Sequence, residues 1–207
     1  LSANGILVPL GALTVEIAFF LPLAIALVAG DAVAGEANVG TLRYLLTVPV
    51  TRTRLLAVKF AGIALGALVA VALIAVVGLI AGVAILGAGP MTTLSGSELS
   101  FVESLGRLAI ALGYASLAMA AIGAIGLLIS TLTESPVVAT ISLMALVIIS
   151  WILEALEQVA FLHPYLPTHH LSAFTGVLFD PVQWGDMATG AAYYGAVIVI
   201  FWLAAWA

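Results

Sequence analysis

Cysteine is absent from the sequence, and charged residues are scarce. Without cysteine the chain has no disulfide, no thiolate metal ligand and no thiol nucleophile. Charged residues make up 7% of the 207 positions, whereas a soluble domain carries about 25%. A soluble fold of this length could not bury the 64% of residues that are hydrophobic, so lipid must cover part of the surface. The sequence therefore predicts an integral membrane protein.

Several sequence signatures are also missing. The apolar runs exceed 20 residues without alternating polar and apolar positions, which favours helices over barrel strands. No basic stretch precedes the first apolar run, so that run is not a cleavable signal peptide. The patterns H-E-x-x-H, G-x-S-x-G and Walker A do not occur. We therefore expect no catalytic site and no cofactor bound by this chain, and the clustering of the basic residues does not suggest nucleic-acid binding.

What is present is a series of long apolar runs, which predicts one all-α domain over 1–207, a polytopic membrane helix bundle. About 20 residues at ~1.5 Å each cross the hydrocarbon layer. The second run is too long for one straight span, so it tilts or projects from the membrane. The chain starts at Leu1 and stops at Ala207 inside an apolar run, and we expect the natural protein to extend beyond both ends. The predicted spans are 12–33, 55–87, 105–132, 136–156 and 188–207.

Two stretches between the predicted spans differ in character. Residues 1–11, before the first span, are predicted as an irregular lead-in. Residues 88–103 are polar, which predicts a turn region after the second span. Residues 158–187 are interrupted by prolines but remain apolar, which predicts a re-entrant helical pair on the outer side. Within this pair we expect a short helix over 169–179 that Thr168 caps.

The basic residues are concentrated between the first two predicted spans. Because loops rich in Lys and Arg stay in the cytoplasm, the loop 34–54 is predicted to be cytoplasmic in a multi-pass protein of the plasma membrane. The segments 88–103 and 158–187 then lie outside, and Arg107 is the exception on that side. The four clustered basic residues are Arg43, Arg52, Arg54 and Lys59.

The loop itself carries a helical pattern. Leu42, Leu45 and Leu46 recur at i, i+3 and i+4, which predicts a short amphipathic helix over 39–47. Pro49 stops this helix because proline cannot continue the hydrogen-bond ladder. Thr51 is a plausible N-cap of the next helix.

The same loop resembles the permeases of the ABC-2 transporter family. Their pattern E-x-x-x-G-T-L-x-x-L-L-x-x-P-[VI]-[ST]-R-x-x-[LI]-x-x-[AG]-K lies between the second and third membrane helices, and the family has six helices, whereas we count five spans. The positions that match are Glu36, Gly40, Thr41, Leu42, Leu45, Leu46, Pro49, Thr51, Arg52 and Lys59.

The resemblance implies a coupling helix that docks on a separate nucleotide-binding ABC ATPase subunit. It also implies a second permease subunit in a homodimer or heterodimer, and ATP with Mg²⁺ bound by the ATPase. In the resembling family the loop transmits closure of the ATPases to the permeases. The residues implied in this coupling are Glu36, Gly40, Thr41, Leu42, Arg43, Leu45, Leu46, Pro49 and Arg52.

Other residues carry weaker signals. Glu16 is an acid in the first predicted span; it lies in a substrate pathway, or it sits near the outer interface or pairs with a neighbour. Two small-residue pairs, Gly62 with Gly66 and Gly78 with Gly82, allow close approach of helices within one subunit or across a dimer. The three histidines match no standard zinc spacing, so we expect no metal site; they are His163, His169 and His170.

The sequence thus predicts the permease subunit of an ATP-driven ABC exporter that works as a dimer in contact with membrane lipid. A secondary transporter or channel is the first alternative, and it predicts paired intramembrane charges or a visible repeat. A non-transport membrane scaffold or intramembrane enzyme is the second. The resembling family handles lipids, drugs, peptides and glycans, so the substrate stays open, with a mild preference for a hydrophobic one.

Overall fold

The computed structural model describes residues 4–40 and 51–207, and this part of the chain is an all-α bundle. It is 79% helical, and five of its helices are long and apolar enough to cross a membrane. The predicted fold class is therefore confirmed. The long helices are α2 (Phe20–Asn38), α3 (Arg52–Leu86), α4 (Phe101–Thr131), α5 (Pro136–Glu154) and α6 (Trp184–Trp206), and the shorter α1 (Leu7–Glu16) precedes them.

The two ends of the bundle are distinct. At one end α2 leads to the segment 41–50, which lies outside the described residues, and α3 begins after it; we call this the loop end. At the other end β1 (Met91–Thr92) pairs antiparallel with β2 (Glu98–Leu99), and we call this the hairpin end. The short turn between α4 and α5 lies at the loop end, because Gly30 of α2 packs against Pro136 and Thr140.

Helix α4 occupies the centre of the bundle. In its most apolar stretch 67% of the residues are buried, against between 22% and 39% in the other four long helices. Small residues make this burial possible: a Cβ on Gly123 would collide with Ile63 of α3, and one on Gly126 would collide with Leu143 of α5. Close approach of backbones is the main source of packing between membrane helices.

The first predicted span, 12–33, is wrong as a continuous helix. Helix α1 begins at Leu7, inside the predicted lead-in, and the chain leaves helical geometry at Phe19, where φ is −143° and ψ is −52°. Pro22 explains the break, because a proline ring clashes with the carbonyl four residues earlier in a helix, here that of Ala18. The freed Ala18 carbonyl accepts a hydrogen bond from the Trp151 indole at 3.1 Å.

The other four spans agree with helices to within four residues at each end. Helix α3 is unbroken over 35 residues, or about 50 Å. It starts where predicted, since the Thr51 hydroxyl accepts from the Arg54 amide at 3.3 Å and caps the helix. Helix α4 starts with a capping box between Ser100 and Glu103, which the sequence analysis missed.

Helices α1 and α2 run antiparallel to α3. Gly82 faces Gly5, and a Cβ on Gly78 would lie 2.8 Å from the Pro9 Cα. This second glycine pair therefore packs helices within one subunit. Gly62 instead faces open space among the described residues.

The segment predicted as a re-entrant pair contains two 3₁₀ helices, Glu157–Tyr165 and Leu171–Leu178, and its re-entry into the membrane stays a prediction. Its predicted cap is wrong. The hydroxyl of Thr168, which is 2% exposed, makes no hydrogen bond within the described ranges, and His170 holds the N-cap position without a side-chain bond. Tyr194 and Tyr193 of α6 instead hold this segment, through hydrogen bonds to the carbonyls of Pro167 and Tyr165.

Candidate functional site at the loop end

The two helices that flank the loop are joined by an ion pair. The Lys59 ammonium of α3 contacts the Glu36 carboxylate in the last turns of α2, and the two side chains are only 23% and 28% exposed. Partial removal from water strengthens such a pair over a fully exposed one. Two residues of the loop pattern are thereby brought together, although they lie 23 positions apart.

Gly40 and Thr51 fix where the helices stop and start. The Gly40 amide donates to the Ala37 carbonyl at 3.1 Å, and its φ of +69° is a conformation that favours glycine. Thr51 caps α3 from the other side of the loop. The pattern residues at both borders of the loop thus have local structural reasons for their identity.

Arg52 and Arg54 lie exposed in the first turn of α3. Positive charge is unfavourable at a helix N-terminus, where the macrodipole is already positive. Neither arginine forms an ion pair with any described residue. Helix stability therefore does not explain these two cations, and both are accessible to a partner.

The last helix is attached to the same place. The Trp206 indole near the end of α6 donates to the Thr53 hydroxyl at 3.1 Å. The sequence analysis missed this contact, which no spacing pattern signals. The contact links the C-terminal end of the bundle to the start of α3.

A buried hydroxyl of α4 engages α2 just before the loop. Ser130 is fully buried; its hydroxyl donates to the Gly30 carbonyl at 2.8 Å and accepts from the amides of Val33 and Ala34 at 3.1 and 3.0 Å. These bonds attach the Gly30–Ala34 turn of α2 to the central helix α4.

Most of the predicted coupling residues lie outside the described residues. Of the nine, the structure places Glu36, Gly40 and Arg52, and all three lie at the loop end. The amphipathic helix over 39–47 therefore remains a prediction. The residues that fall outside are Thr41, Leu42, Arg43, Leu45, Leu46 and Pro49.

Glu16 lies at the C-terminal end of α1, directly before the helix break. It is partly buried, and it makes no hydrogen bond or ion pair within residues 4–40 and 51–207. Glu16 follows Pro9 by seven residues, which places it roughly 10 Å further from the hairpin end. The neighbour predicted as its partner is not seen among these residues.

The hairpin end holds Arg107 in a polar network. Its guanidinium donates to the carbonyls of Val177 and Phe179 and to the Asp180 carboxylate at 3.0 Å. The Ser97 hydroxyl, and then Arg107, hold the pKa of Asp180 below its usual value. Arg107 thus connects α4 to the end of the second 3₁₀ helix. Ser97, through its hydrogen bond to Asp180, connects the hairpin to the same place.

The histidines cluster at the same end of the bundle. His169 contacts the Glu154 carboxylate at 2.5 Å, and His163 lies 3.1 Å from the Leu153 carbonyl. Burial, and then the neighbouring His169, lower the pKa of His170. Among the described residues no group of three histidine, aspartate or glutamate side chains is arranged to hold a metal ion.

The comparisons with known proteins bear on this arrangement. A family model described as an ABC-2 family transporter protein matches residues 10–195. The chain belongs to the ABC-2 transporter family. The match extends from α1 into α6 and so includes far more than the loop pattern, and no curated protein matches the chain.

Membership of the ABC-2 family makes the chain a membrane permease of the ABC transporter type. The family is a transport component of the membrane and is not typically catalytic. It associates with ABC ATPase subunits. The loop end, with its ion pair and two accessible arginines, is therefore the candidate functional site of this ABC-2 permease.

Proposed function

We propose that this chain is the permease subunit of an ATP-driven exporter in the plasma membrane, with its loop end in the cytoplasm. Two copies, or one copy and a related permease, form the substrate pathway. Two separate ATPase subunits bind ATP and Mg²⁺ and dock on the 34–54 loops. The observation that carries this proposal is the ABC-2 loop pattern, whose Glu36 and Lys59 join the flanking helices by an ion pair.

The residues present suit a mechanical role. Helix α3 is a continuous rod of about 50 Å, and its first turn is capped by Thr51 and attached to Trp206 of α6. Displacement of the loop would move α2 and α3 together, because Glu36 and Lys59 connect them. The hydrogen bonds between Ser130 and the Gly30–Ala34 turn would transmit this displacement from α2 to the central helix α4.

Docking is tested by substitutions in the loop. We expect Leu45→Asp, which removes an apolar anchor, and Arg43→Glu, which reverses a charge, each to reduce ATPase co-purification by at least about tenfold, since anchors near the centre of an interface contribute 2 kcal/mol or more. The measurement is the ratio of ATPase to permease after affinity purification. Glu134→Gln, an exposed acid in the α4–α5 turn, is the control and leaves the ratio unchanged.

The ion pair gives a second arm of the same experiment. Glu36→Lys and Lys59→Glu each place like charges together and should lower the ratio several-fold, whereas the double variant with the charges exchanged should recover most of it. Normal co-purification with both Leu45→Asp and Arg43→Glu would contradict docking through the loop. All variants must first be shown to reach the membrane.

A further inference from the structure

The described residues form an apolar groove with one carboxylate at the loop end. It lies between the second half of α2 and the first turns of α5 and has a volume of about 620 Å³. Leu27 and Val28 form one wall, and Val137 and Ile141 form the other. Leu27, Val137 and Ile141 are all more than half exposed in this chain, so the groove is open on the outer side of the bundle.

Among the described residues, Asp31 is the one charged residue that lines this groove. Its carboxylate makes no hydrogen bond or ion pair with any described residue. Gly35, one turn further, leaves room for it, since a Cβ at position 35 would collide with the Asp31 carboxylate. Thr140 is the other polar residue among the described lining residues. Its hydroxyl already donates a hydrogen bond to the Ala26 carbonyl at 3.2 Å.

The position of Asp31 along α2 restricts the class of ligand that its carboxylate could bind. Asp31 precedes the end of α2 at Asn38 by seven residues, or about 10 Å along the axis. An acid at such a depth, within a candidate span, is costly unless it meets a partner, and it marks a functional position by default. A neutral lipid would leave the carboxylate without a partner, and an anionic one would be repelled.

We propose that this groove binds lipophilic monovalent cations and admits them to the transporter from the loop-end leaflet. The apolar walls would hold the hydrophobic body, and Asp31 would pair with its positive charge. The proposal names a substrate class for the exporter and therefore rests on the function proposed above as far as transport is concerned. Binding itself is a property of this chain.

The test is equilibrium binding of tetraphenylphosphonium to the full chain, with its ATPase where that co-purifies, in nanodiscs of phosphatidylcholine. We expect saturable binding that Asp31→Asn weakens by at least about tenfold, and that Asp31→Glu retains. Glu134→Gln, an acid at the same end but outside the groove, should bind as the unaltered chain does. Triphenylphosphine oxide, a neutral analogue, should bind the unaltered chain and the Asp31→Asn variant with equal affinity.

A second variant guards against misfolding of Asp31→Asn. Ile141→Trp changes an exposed side chain and fills the groove, so it should abolish binding while thermal stability is kept. The proposal is overturned if the unaltered chain shows no saturable binding, if Asp31→Asn binds equally well, or if Glu134→Gln causes the same loss. It is also overturned if Ile141→Trp dissociates a dimer without affecting binding, because a second copy would then occupy the groove.

The two proposals fail separately. Co-purification of the ATPase is measured on the same preparations. An ATPase that co-purifies with a chain that binds no cation removes the groove proposal alone. A chain that binds the cation at Asp31 but transports actively without any ATPase removes the exporter proposal and leaves the binding site.

Discussion

At the scale of single residues, glycines decide where α3 can touch its neighbours. Gly78 and Gly82 let Pro9 and Gly5 approach at distances that any side chain would block, whereas no described residue lies opposite Gly62. The sequence showed two equivalent pairs and left open whether they pack within a subunit or across a dimer. Spacing alone could not separate them, because the difference lies in what stands opposite each glycine.

Gly82→Ala should destabilise the bundle. The added Cβ would collide with the Gly5 backbone, which cannot rotate away as a side chain would. Overpacking of this kind costs about 1–3 kcal/mol in the free energy of unfolding. Chemical unfolding of the purified protein in mild detergent measures the change.

Gly62→Ala is the matched control on the same helix. With open space opposite it, the added methyl should leave stability unchanged or raise it by up to about 1 kcal/mol through helix propensity. An equal loss in both variants would show that Gly82 has no special contact.

At the scale of elements, the break between α1 and α2 was the largest error of the sequence analysis. Hydropathy treats 12–33 as one run, because Ile17, Ala18 and Phe19 are as apolar as the helix around them. The usable signal was Pro22, whose clash with the Ala18 carbonyl follows from backbone geometry. The indole of Trp151 that satisfies this carbonyl comes from a distant helix, and no local pattern reveals it.

Trp151→Phe should therefore weaken the contact between α5 and the break. The variant keeps an aromatic ring but removes the indole N–H, so the Ala18 carbonyl loses its hydrogen-bond donor. We expect a loss of about 1 kcal/mol in the free energy of unfolding. Trp184→Phe is the control, since the Trp184 side chain is 55% exposed and makes no hydrogen bond to any described residue. Equal stability of Trp151→Phe and the unaltered protein would remove this role.

Other elements were predictable for clear reasons. The start of α3 follows from Thr51, because threonine is a preferred N-cap residue and its side chain caps this helix. The 3₁₀ geometry of Leu171–Leu178 was not predictable, because Tyr194 and Tyr193 position the chain that leads to it through carbonyls far along the sequence. Thr168 is a residue type that often caps helices, but its side chain is buried and does not cap the 3₁₀ helix.

At the scale of the whole molecule, composition and the loop pattern carried the fold class and the family. Long apolar runs allow few structures other than helices in a membrane, so the number of spans followed directly. Arg107 stood as the exception to the charge rule. Its guanidinium is bound to Asp180 and two backbone carbonyls, so it is neutralised locally and need not determine orientation.

Orientation is testable on a clean background, because the chain has no cysteine. Leu94→Cys at the hairpin and Glu134→Cys in the α4–α5 turn place single thiols at opposite ends of the bundle. In intact cells an impermeant maleimide should label the first and not the second, and lysis should make both reactive. The reverse pattern would place the loop end outside and contradict docking of a cytoplasmic ATPase.

The assembly itself gives the most direct test of the proposed function. Native mass spectrometry of the transport-active complex, purified through this chain, reports its composition. We expect two permease subunits and two copies of a separate ATPase that carries a Walker A motif. A stable, active transporter that contains no ATPase would contradict the function proposed for this chain.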